Sequence, residues 1–195
     1  MILYLTLITF LGLVVSVVVT FAYGANFFPV LGLTALAIVL VIVVDALTAT
    51  VCRLLPAKCA DHTKKFYKVS AKEKKFYEKL KIRKWKDYIP EIGHFTGFRK
   101  NKIADPKSVE YLDRFLLEAC YGELGHFVIL FTGFSILLLF FISPLWFAIS
   151  LPVAIINIFF NLPSLFILRY NSYKLVILRK SNLRKQAKVQ AGLAQ

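Results

Sequence analysis

The sequence predicts an all-α membrane protein in which four transmembrane helices form two hairpins, with a basic helical cytoplasmic segment between them. Three observations predict this fold class. First, 58% of the 195 residues are hydrophobic, which exceeds the fraction in most soluble domains. Second, residues 1–44 and 127–168 contain no charged side chain, and each run suits two crossings, since one crossing needs ~20 residues. Third, residues 57–122 carry 17 Lys and Arg against 9 Asp and Glu.

The chain divides into three predicted regions and four predicted spans. The regions are the first hairpin at residues 1–56, the basic segment at residues 57–122, and the second hairpin with a basic tail at residues 123–195. The spans are expected at about residues 2–22, 30–51, 123–143 and 145–168. The first stretch lacks a basic n-region and is too long for a signal peptide, so we expect it to remain as a span. The polar tail after Leu178 is expected to be a surface helix or disordered.

The distribution of positive charge predicts how the chain crosses the membrane. Basic residues dominate the central segment, and the tail from Arg169 adds 7 more basic residues and no acidic one. The short connections around residues 23–29 and 143–145 contain neither Lys nor Arg. By the positive-inside rule, the central segment and both termini then face the cytoplasm. We therefore expect a multi-pass protein of a plasma membrane.

The basic segment contains a predicted surface helix. Ser70 and Glu73 form a capping box, which predicts a helix over about residues 71–81. Phe76 and Tyr77 fall on one side of it and lysines on the other, a pattern that suits the surface of an anionic lipid leaflet. Basic residues among aromatic ones also fit nucleic acid. The flanking hydrophobic spans make lipid headgroups the nearer anion, so we expect membrane lipids and no nucleic acid as partners.

A carboxylate and an imidazole mark the entry into the third span. Asp105-Pro106 predicts the start of an amphipathic helix that leads into this span. Glu123 and His126 are three residues apart, so they share one helix face, and ionisable groups at membrane depth are costly and usually functional. Gly122 and Gly125 flank them, and could admit either a substrate or a neighbouring helix.

Other polar residues are predicted to reach the same depth. Because the third and fourth spans are antiparallel, His126 and Arg169 lie at one level, and the end of the second span brings Asp45 toward it. An acidic residue inside a span is a functional candidate. The alternative is that Asp45 reaches toward Arg53 or the interface. Asn161 in the fourth span could satisfy backbone groups that a nearby proline frees.

The sequence gives little reason to expect a metal site. Cys59 and His62 have ligand-like spacing with Cys52 nearby, but the set lacks a fourth ligand for zinc. Glu-x-x-His is half of a di-iron carboxylate pattern, and only one copy is present. The three cysteines are an odd number, so no disulfide framework is implied. We predict no metal.

Short motifs in the second half of the chain occur in a specific order and spacing. They are Arg83-Lys84-Trp85-Lys86, Glu118 followed by Glu123-Leu124-x-His126, Asn161-x-Pro163, and Arg169-Tyr170-Asn171. These motifs, within about residues 77–178, resemble the glycosyl-diaponeurosporenoate acyltransferase family of small bacterial membrane enzymes. Members place a fatty acyl chain on a sugar hydroxyl of a glycosylated carotenoid. The chain departs from the family at Gly122, where alanine is usual, and at Ser172, where a basic residue is usual. A different glycolipid acceptor therefore stays open.

The resemblance implies acyl transfer from a thioester to a hydroxyl, a reaction that needs a base and a group that stabilises an oxyanion. Histidine suits the base, so His126 is the expected general base and Glu123 its orienting partner. The expected substrate-binding residues are Trp85, Lys86, Arg169, Tyr170, Asn171, Asn161, Glu118 and Asp45. Among these, Arg169 with Lys86 or Lys100 could bind phosphates of the donor.

No cofactor is expected beyond the co-substrate, either acyl-coenzyme A or an acyl-carrier protein. Direct attack by the sugar hydroxyl on the thioester needs fewer assumptions than an acyl-enzyme at Cys120. The alternative to an enzyme is a membrane scaffold or lipid-binding protein that uses the basic segment. On that interpretation His126, Glu123 and Arg169 are interface anchors.

Overall fold

A computed structural model of the chain describes residues 2–89 and 103–193, and this part of the chain is helical, with connecting turns and no strand. The α-helices are α1 (Ile2–Tyr23), α2 (Phe27–Leu54), α3 (Ala71–Lys79), α4 (Ile82–Trp85), α5 (Val109–Thr132) and α6 (Trp146–Leu193). Three 3₁₀ segments cover Ala57–Cys59, Lys86–Tyr88 and Gly133–Ile142. Lys100 lies outside the described residues.

Within the described residues, four helical stretches are long and apolar enough to cross a membrane, which agrees with the predicted number of spans. They are Tyr4–Tyr23, Phe27–Leu54, Val109–Ile142 and Trp146–Gly192. The first two agree with the predicted spans within a few residues, because uncharged runs between turn residues leave few choices for a helix boundary. The turn between α1 and α2 contains Gly24 at φ +59°, a backbone conformation that glycine adopts without steric cost.

The predicted start of the helix that leads into the third span was wrong. Helix α5 starts at Val109 rather than at Asp105-Pro106, because the side chain of Ser108 accepts the backbone N–H of Tyr111 at 3.1 Å and so acts as the N-cap. Asp105 instead accepts the backbone N–H groups of Lys107 and Ser108, which stabilises the turn before the helix.

Helix α6 spans 48 residues, so the tail after Leu178, which we expected to be a surface helix or disordered, is helical and continuous with the fourth span. Two polar contacts hold this continuation. Arg179 forms an ion pair with Asp113, and Asn182 donates to the carbonyl oxygens of Pro106 and Lys107. These contacts are tertiary, so the composition of the tail did not show them.

The described chain separates into two compact units. Unit 1 comprises the chain up to Leu54 together with Gly125–Leu162. Its core is apolar and contains Trp146, which is fully buried and donates its indole N–H to the carbonyl of Ile136 at 2.7 Å. The buried members of this core are Val15, Val19, Val30, Ala37, Val41, Ile136, Trp146, Ile149, Val153 and Ala154.

Unit 2 comprises Leu55–Leu124 and the chain from Pro163 onward. Ser70 accepts the backbone N–H of Glu73 at 3.1 Å, which confirms the predicted helix start. Tyr77 is only 3% exposed and packs with Ile167 and Tyr170 of α6. The expectation that the aromatic side of α3 faces the lipid surface is therefore wrong for Tyr77, because α6 supplies a closer apolar partner.

Candidate functional site

Four polar side chains of unit 1 form a hydrogen-bonded group, the Asp45–His126 cluster. Asn157 and Asn161 each donate an amide N–H to Asp45, at 3.0 Å to Oδ1 and 3.1 Å to Oδ2 respectively. His126 Nδ1 lies 2.9 Å from Asn161 Oδ1. Asn161 is buried, while the other three are half-buried. The cluster therefore connects a carboxylate to an imidazole through one buried amide.

Three helices supply this cluster. Asp45 lies on α2, His126 on α5, and the two asparagines lie four residues apart on α6, which places them on one face. Gly133 leaves room for them, because a Cβ there would lie 2.8 Å from Asn157 Nδ2. Polar groups inside an apolar helix bundle are stable only when they are paired, and the cluster provides this pairing.

The hydrogen bonds of Asn161 favour one tautomer of His126. Asn161 Nδ2 also lies 3.1 Å from the carbonyl oxygen of Asn157 and 3.0 Å from its Oδ1, so the amide nitrogen faces acceptors. The amide oxygen then faces the imidazole, and an oxygen accepts only from an N–H. In this arrangement a neutral ring that donates from Nδ1 to Asn161 would keep its lone pair at Nε2.

A second group, the Arg169 cluster, lies in unit 2. Arg169 donates to Glu73 through Nε at 2.5 Å and Nη2 at 3.1 Å. Its Nη1 lies 3.2 Å from Glu123 Oε2 and 3.0 Å from the carbonyl oxygen of Phe66. Glu123 has no exposed side-chain surface, and Ser172 donates to its Oε1 at 2.5 Å. Arg169 thus bridges two carboxylates.

The two residues of the Glu-x-x-His motif belong to different clusters. Both oxygens of Glu123 accept hydrogen bonds from the Arg169 cluster, whereas Nδ1 of His126 bonds to Asn161. Glu123, which we expected to orient His126, bonds to Arg169 and Ser172, whereas Nδ1 of His126 contacts Asn161. The motif is conspicuous in the sequence because of helical spacing, but the side chain of Glu123 bonds to groups that lie far along the chain.

The remaining predicted site residues belong to unit 2. Trp85 donates its indole N–H to the carbonyl of Leu80 at 2.9 Å and packs beside the Tyr77 core. Tyr170 is 1% exposed, and the Lys174 ammonium lies 4.1 Å from its ring centroid. Half-buried side chains are found at Lys86, Glu118 and Asn171. Tyr170 is therefore a core residue of unit 2.

Gly122 and Gly125, the glycines beside Glu123 and His126, each lie close to a neighbouring helix. A Cβ at Gly122 would lie 2.9 Å from Leu168 Cδ1, and a Cβ at Gly125 would lie 3.9 Å from Ala49 Cα. Of the two alternatives left open by the sequence, close approach of a neighbouring helix is therefore the one observed.

In the described part of the chain, no group of three or more His, Cys, Asp or Glu side chains could hold a metal ion. The Cys120 thiol is buried, at 1% exposure.

Three residues of these clusters were not predicted as site residues. Asn157 could have been found, because it precedes Asn161 by one helical turn in an uncharged run. Glu73 was visible only as the second residue of a capping box. Ser172 follows the Arg-Tyr-Asn motif, and nothing in its local sequence indicates that it donates to Glu123.

Crowding at Gly133 gives a test of the Asp45–His126 cluster. Gly133→Ala is expected to displace the Asn157 amide and to lower thermal stability, because the new methyl group would lie 2.8 Å from Nδ2. Gly32→Ala is the matched control, since a Cβ at Gly32 meets nothing within 4 Å and alanine favours a helix. The unfolding temperature in detergent measures both. Equal stability of the two variants would contradict the described packing.

Glu73 makes the stability of unit 2 depend on pH. Burial alone would raise the pKa of Glu73, but hydrogen bonds from Arg169 and Tyr77, with the charge of Arg169, hold it below the ordinary value of 4.5. A lowered folded-state pKa contributes stability above the unfolded value, and this is lost as the pH falls through the folded value. Unfolding midpoints measured from neutral pH down to about pH 3 should therefore fall more steeply for wild type than for Glu73→Gln. Glu78→Gln, which removes an exposed carboxylate from the same helix, is the control.

Comparison with known families adds one finding. A family model described as glycosyl-4,4'-diaponeurosporenoate acyltransferase matches residues 63–181. The matched range includes His126, Asn161 and the Arg169 cluster, while Asp45 lies outside it. No curated protein and no solved structure matches the chain. Since the match covers more than half of the sequence, the chain belongs to the glycosyl-4,4'-diaponeurosporenoate acyltransferase family.

Proposed function

We propose that this protein is an integral membrane acyltransferase that moves a fatty acyl chain from an acyl thioester to a sugar hydroxyl of a glycosylated lipid. The family description names a glycosylated diaponeurosporenoate as acceptor, and another glycolipid is the alternative. One observation carries the proposal. Within the residues matched by the family, His126 Nδ1 lies 2.9 Å from Asn161 Oδ1, and an Nδ1–H that donates to this oxygen would leave the imidazole lone pair at Nε2 for a substrate hydroxyl.

The proposed reaction uses His126 as the general base. Its Nε2 removes the proton of the sugar hydroxyl while the hydroxyl oxygen attacks the thioester carbonyl carbon. The tetrahedral intermediate collapses to an ester and expels the thiolate. The imidazolium then returns the proton to the thiolate, so that a free thiol leaves and the base is regenerated. Asn161 stabilises the imidazolium by accepting the hydrogen at Nδ1.

The location of the acyl donors in the cytosol favours a reaction on the cytoplasmic side of the membrane. Acyl-coenzyme A and acyl-carrier protein are cytosolic, and the charge distribution orients the basic segment and both termini toward the cytoplasm. Two hairpins would then place the short, uncharged connections outside. Trp85, Lys86, Glu118 and Asn171 remain predictions as residues that bind the donor or the acceptor.

The proposal is tested by reconstituted protein with labelled donors. Purified protein in lipid vesicles is incubated with labelled acyl-coenzyme A or acyl-carrier protein, and with a glycosylated carotenoid, its aglycone or a simple glycolipid. We expect a labelled product with a sugar-bearing acceptor, none with the aglycone, and release of the label by mild alkali, as an ester requires. Absence of ester from every donor and acceptor, with folded protein, would overturn the proposal and favour a scaffold.

A further inference from the structure

Asp45 is an unusual residue for its surroundings. The chain contains no charged side chain before it, and it lies in a helix long and apolar enough to cross a membrane. A carboxylate at such a place costs several kcal/mol unless it is paired. Both of its oxygens accept hydrogen bonds, one from Asn157 and one from Asn161. The residue therefore has a defined arrangement of donors rather than a chance exposure to lipid.

Asp45 and the main-chain carbonyl of Asn157 together determine which way the amide of Asn161 points, because both accept from its Nδ2. Asp45 also holds the amide of Asn157, whose Oδ1 accepts from the same nitrogen. An amide can present either its oxygen or its nitrogen to an imidazole. Both oxygens of Asp45 face amide nitrogens, Oδ1 that of Asn157 and Oδ2 that of Asn161, so the oxygen of Asn161 is left for His126 Nδ1. If the amide turned over, its N–H would face Nδ1, and the hydrogen of the ring would move to Nε2. The ring would then offer no lone pair at Nε2.

We infer that Asp45 is a positioning residue, which acts through Asn161 to keep the hydrogen of His126 at Nδ1 and its lone pair at Nε2. The kinetic consequence rests on the proposed function of His126, whereas the tautomer itself does not. This role differs from substrate binding, which we expected for Asp45 and Asn161 from the sequence. It also gives a reason for an acidic side chain in the second span, outside the residues matched by the family.

The inference is tested by nitrogen NMR of histidine together with kinetics. The protein is labelled with ¹⁵N-histidine in lipid nanodiscs, in a His62→Gln, His94→Gln background, so that His126 gives the signal. We expect the Nδ1–H tautomer in this background and a larger share of Nε2–H in Asp45→Asn. In the acyl-transfer assay, kcat of Asp45→Asn should fall about 10- to 100-fold, with KM nearly unchanged.

Thr48→Ala is the matched control. Thr48 lies one turn after Asp45 on α2, and its hydroxyl is 3.1 Å from that of Thr132, so the variant removes a polar contact between helices without touching the cluster. It should leave both the tautomer and kcat close to those of the parent protein. A loss in this variant as large as in Asp45→Asn would indicate general loosening and overturn the inference.

The outcomes separate the inference from the proposed function. An Nε2–H tautomer in the parent protein, or an unchanged tautomer in Asp45→Asn, overturns the positioning role whatever the activity is. The first of these outcomes concerns the parent protein alone, so it can be measured even if Asp45→Asn does not fold. A tautomer shift without acyl transfer in any variant supports the positioning role and contradicts the proposed function.

Discussion

Replacing His126 with glutamine is expected to lower kcat for acyl transfer by about 10²- to 10⁴-fold, the usual contribution of a general base. Glutamine can still donate an amide N–H to Asn161 Oδ1, the atom that lies 2.9 Å from His126 Nδ1, so the polar cluster stays paired. It has no basic nitrogen, so the sugar hydroxyl keeps its proton. In bacterial membranes, His126→Ala should likewise abolish one acylated glycolipid and leave membrane insertion intact.

His62→Gln is the control for this prediction. It makes the same substitution in the connection between α2 and α3, beside Asp61, whose carboxylate lies 3.9 Å from the imidazole. Rates for the purified proteins, with circular dichroism to verify helix content, decide the result. A His126→Gln protein with nearly wild-type kcat would remove histidine from the mechanism, while leaving the membership of the family untouched.

Arg169→Met is expected to destabilise the protein by about 3–5 kcal/mol, the cost of removing one partner from a buried ion pair. The substitution leaves Glu123, which has no exposed side-chain surface, and Glu73 without the guanidinium that joins them. Unfolding by denaturant in detergent, followed by circular dichroism, measures the loss. Adding Glu123→Gln should recover part of it, because a neutral amide costs less to bury than an unpaired charge.

A second arginine on the same helix is the matched control. Arg179 pairs with Asp113, but its side chain is 29% exposed and that of Asp113 is 43% exposed, so Arg179→Met should cost about 0–1 kcal/mol. Enzyme kinetics then distinguish a structural role of Arg169 from a role in substrate binding. If Arg169→Met left stability unchanged and raised KM for the acyl donor, the role in binding donor phosphates would be supported and the structural role contradicted.

The sequence was sufficient to predict the elements that depend on local composition. The uncharged runs predicted four spans, because a membrane-crossing helix must be apolar over its whole length. The capping box at Ser70 predicted the start of α3, because the cap bonds only within its own turn. The start of α5 was wrong by one turn, since Asp105 and Ser108 are both good caps and the choice depends on packing beyond the turn.

The sequence could not predict which polar groups pair. Cost at membrane depth singled out Asp45 and His126 as candidates, and the family resemblance added Asn161. The structure joins these three by hydrogen bonds. The expected pairing of Glu123 with His126 rested on proximity along the chain. The observed partners of Glu123 are Arg169 and Ser172, 46 and 49 residues further on.

The amino-acid sequence by itself determined that the chain is a helical membrane protein, which family it resembles, and which polar residues are too costly at membrane depth to be incidental. Only the tertiary structure decided that an amide orients the histidine and that the arginine bridges two carboxylates. The physical reason is that hydrophobicity and capping act over one or two turns, whereas these hydrogen bonds join residues 35 to 116 positions apart. Such pairs are selected by the packing of helices.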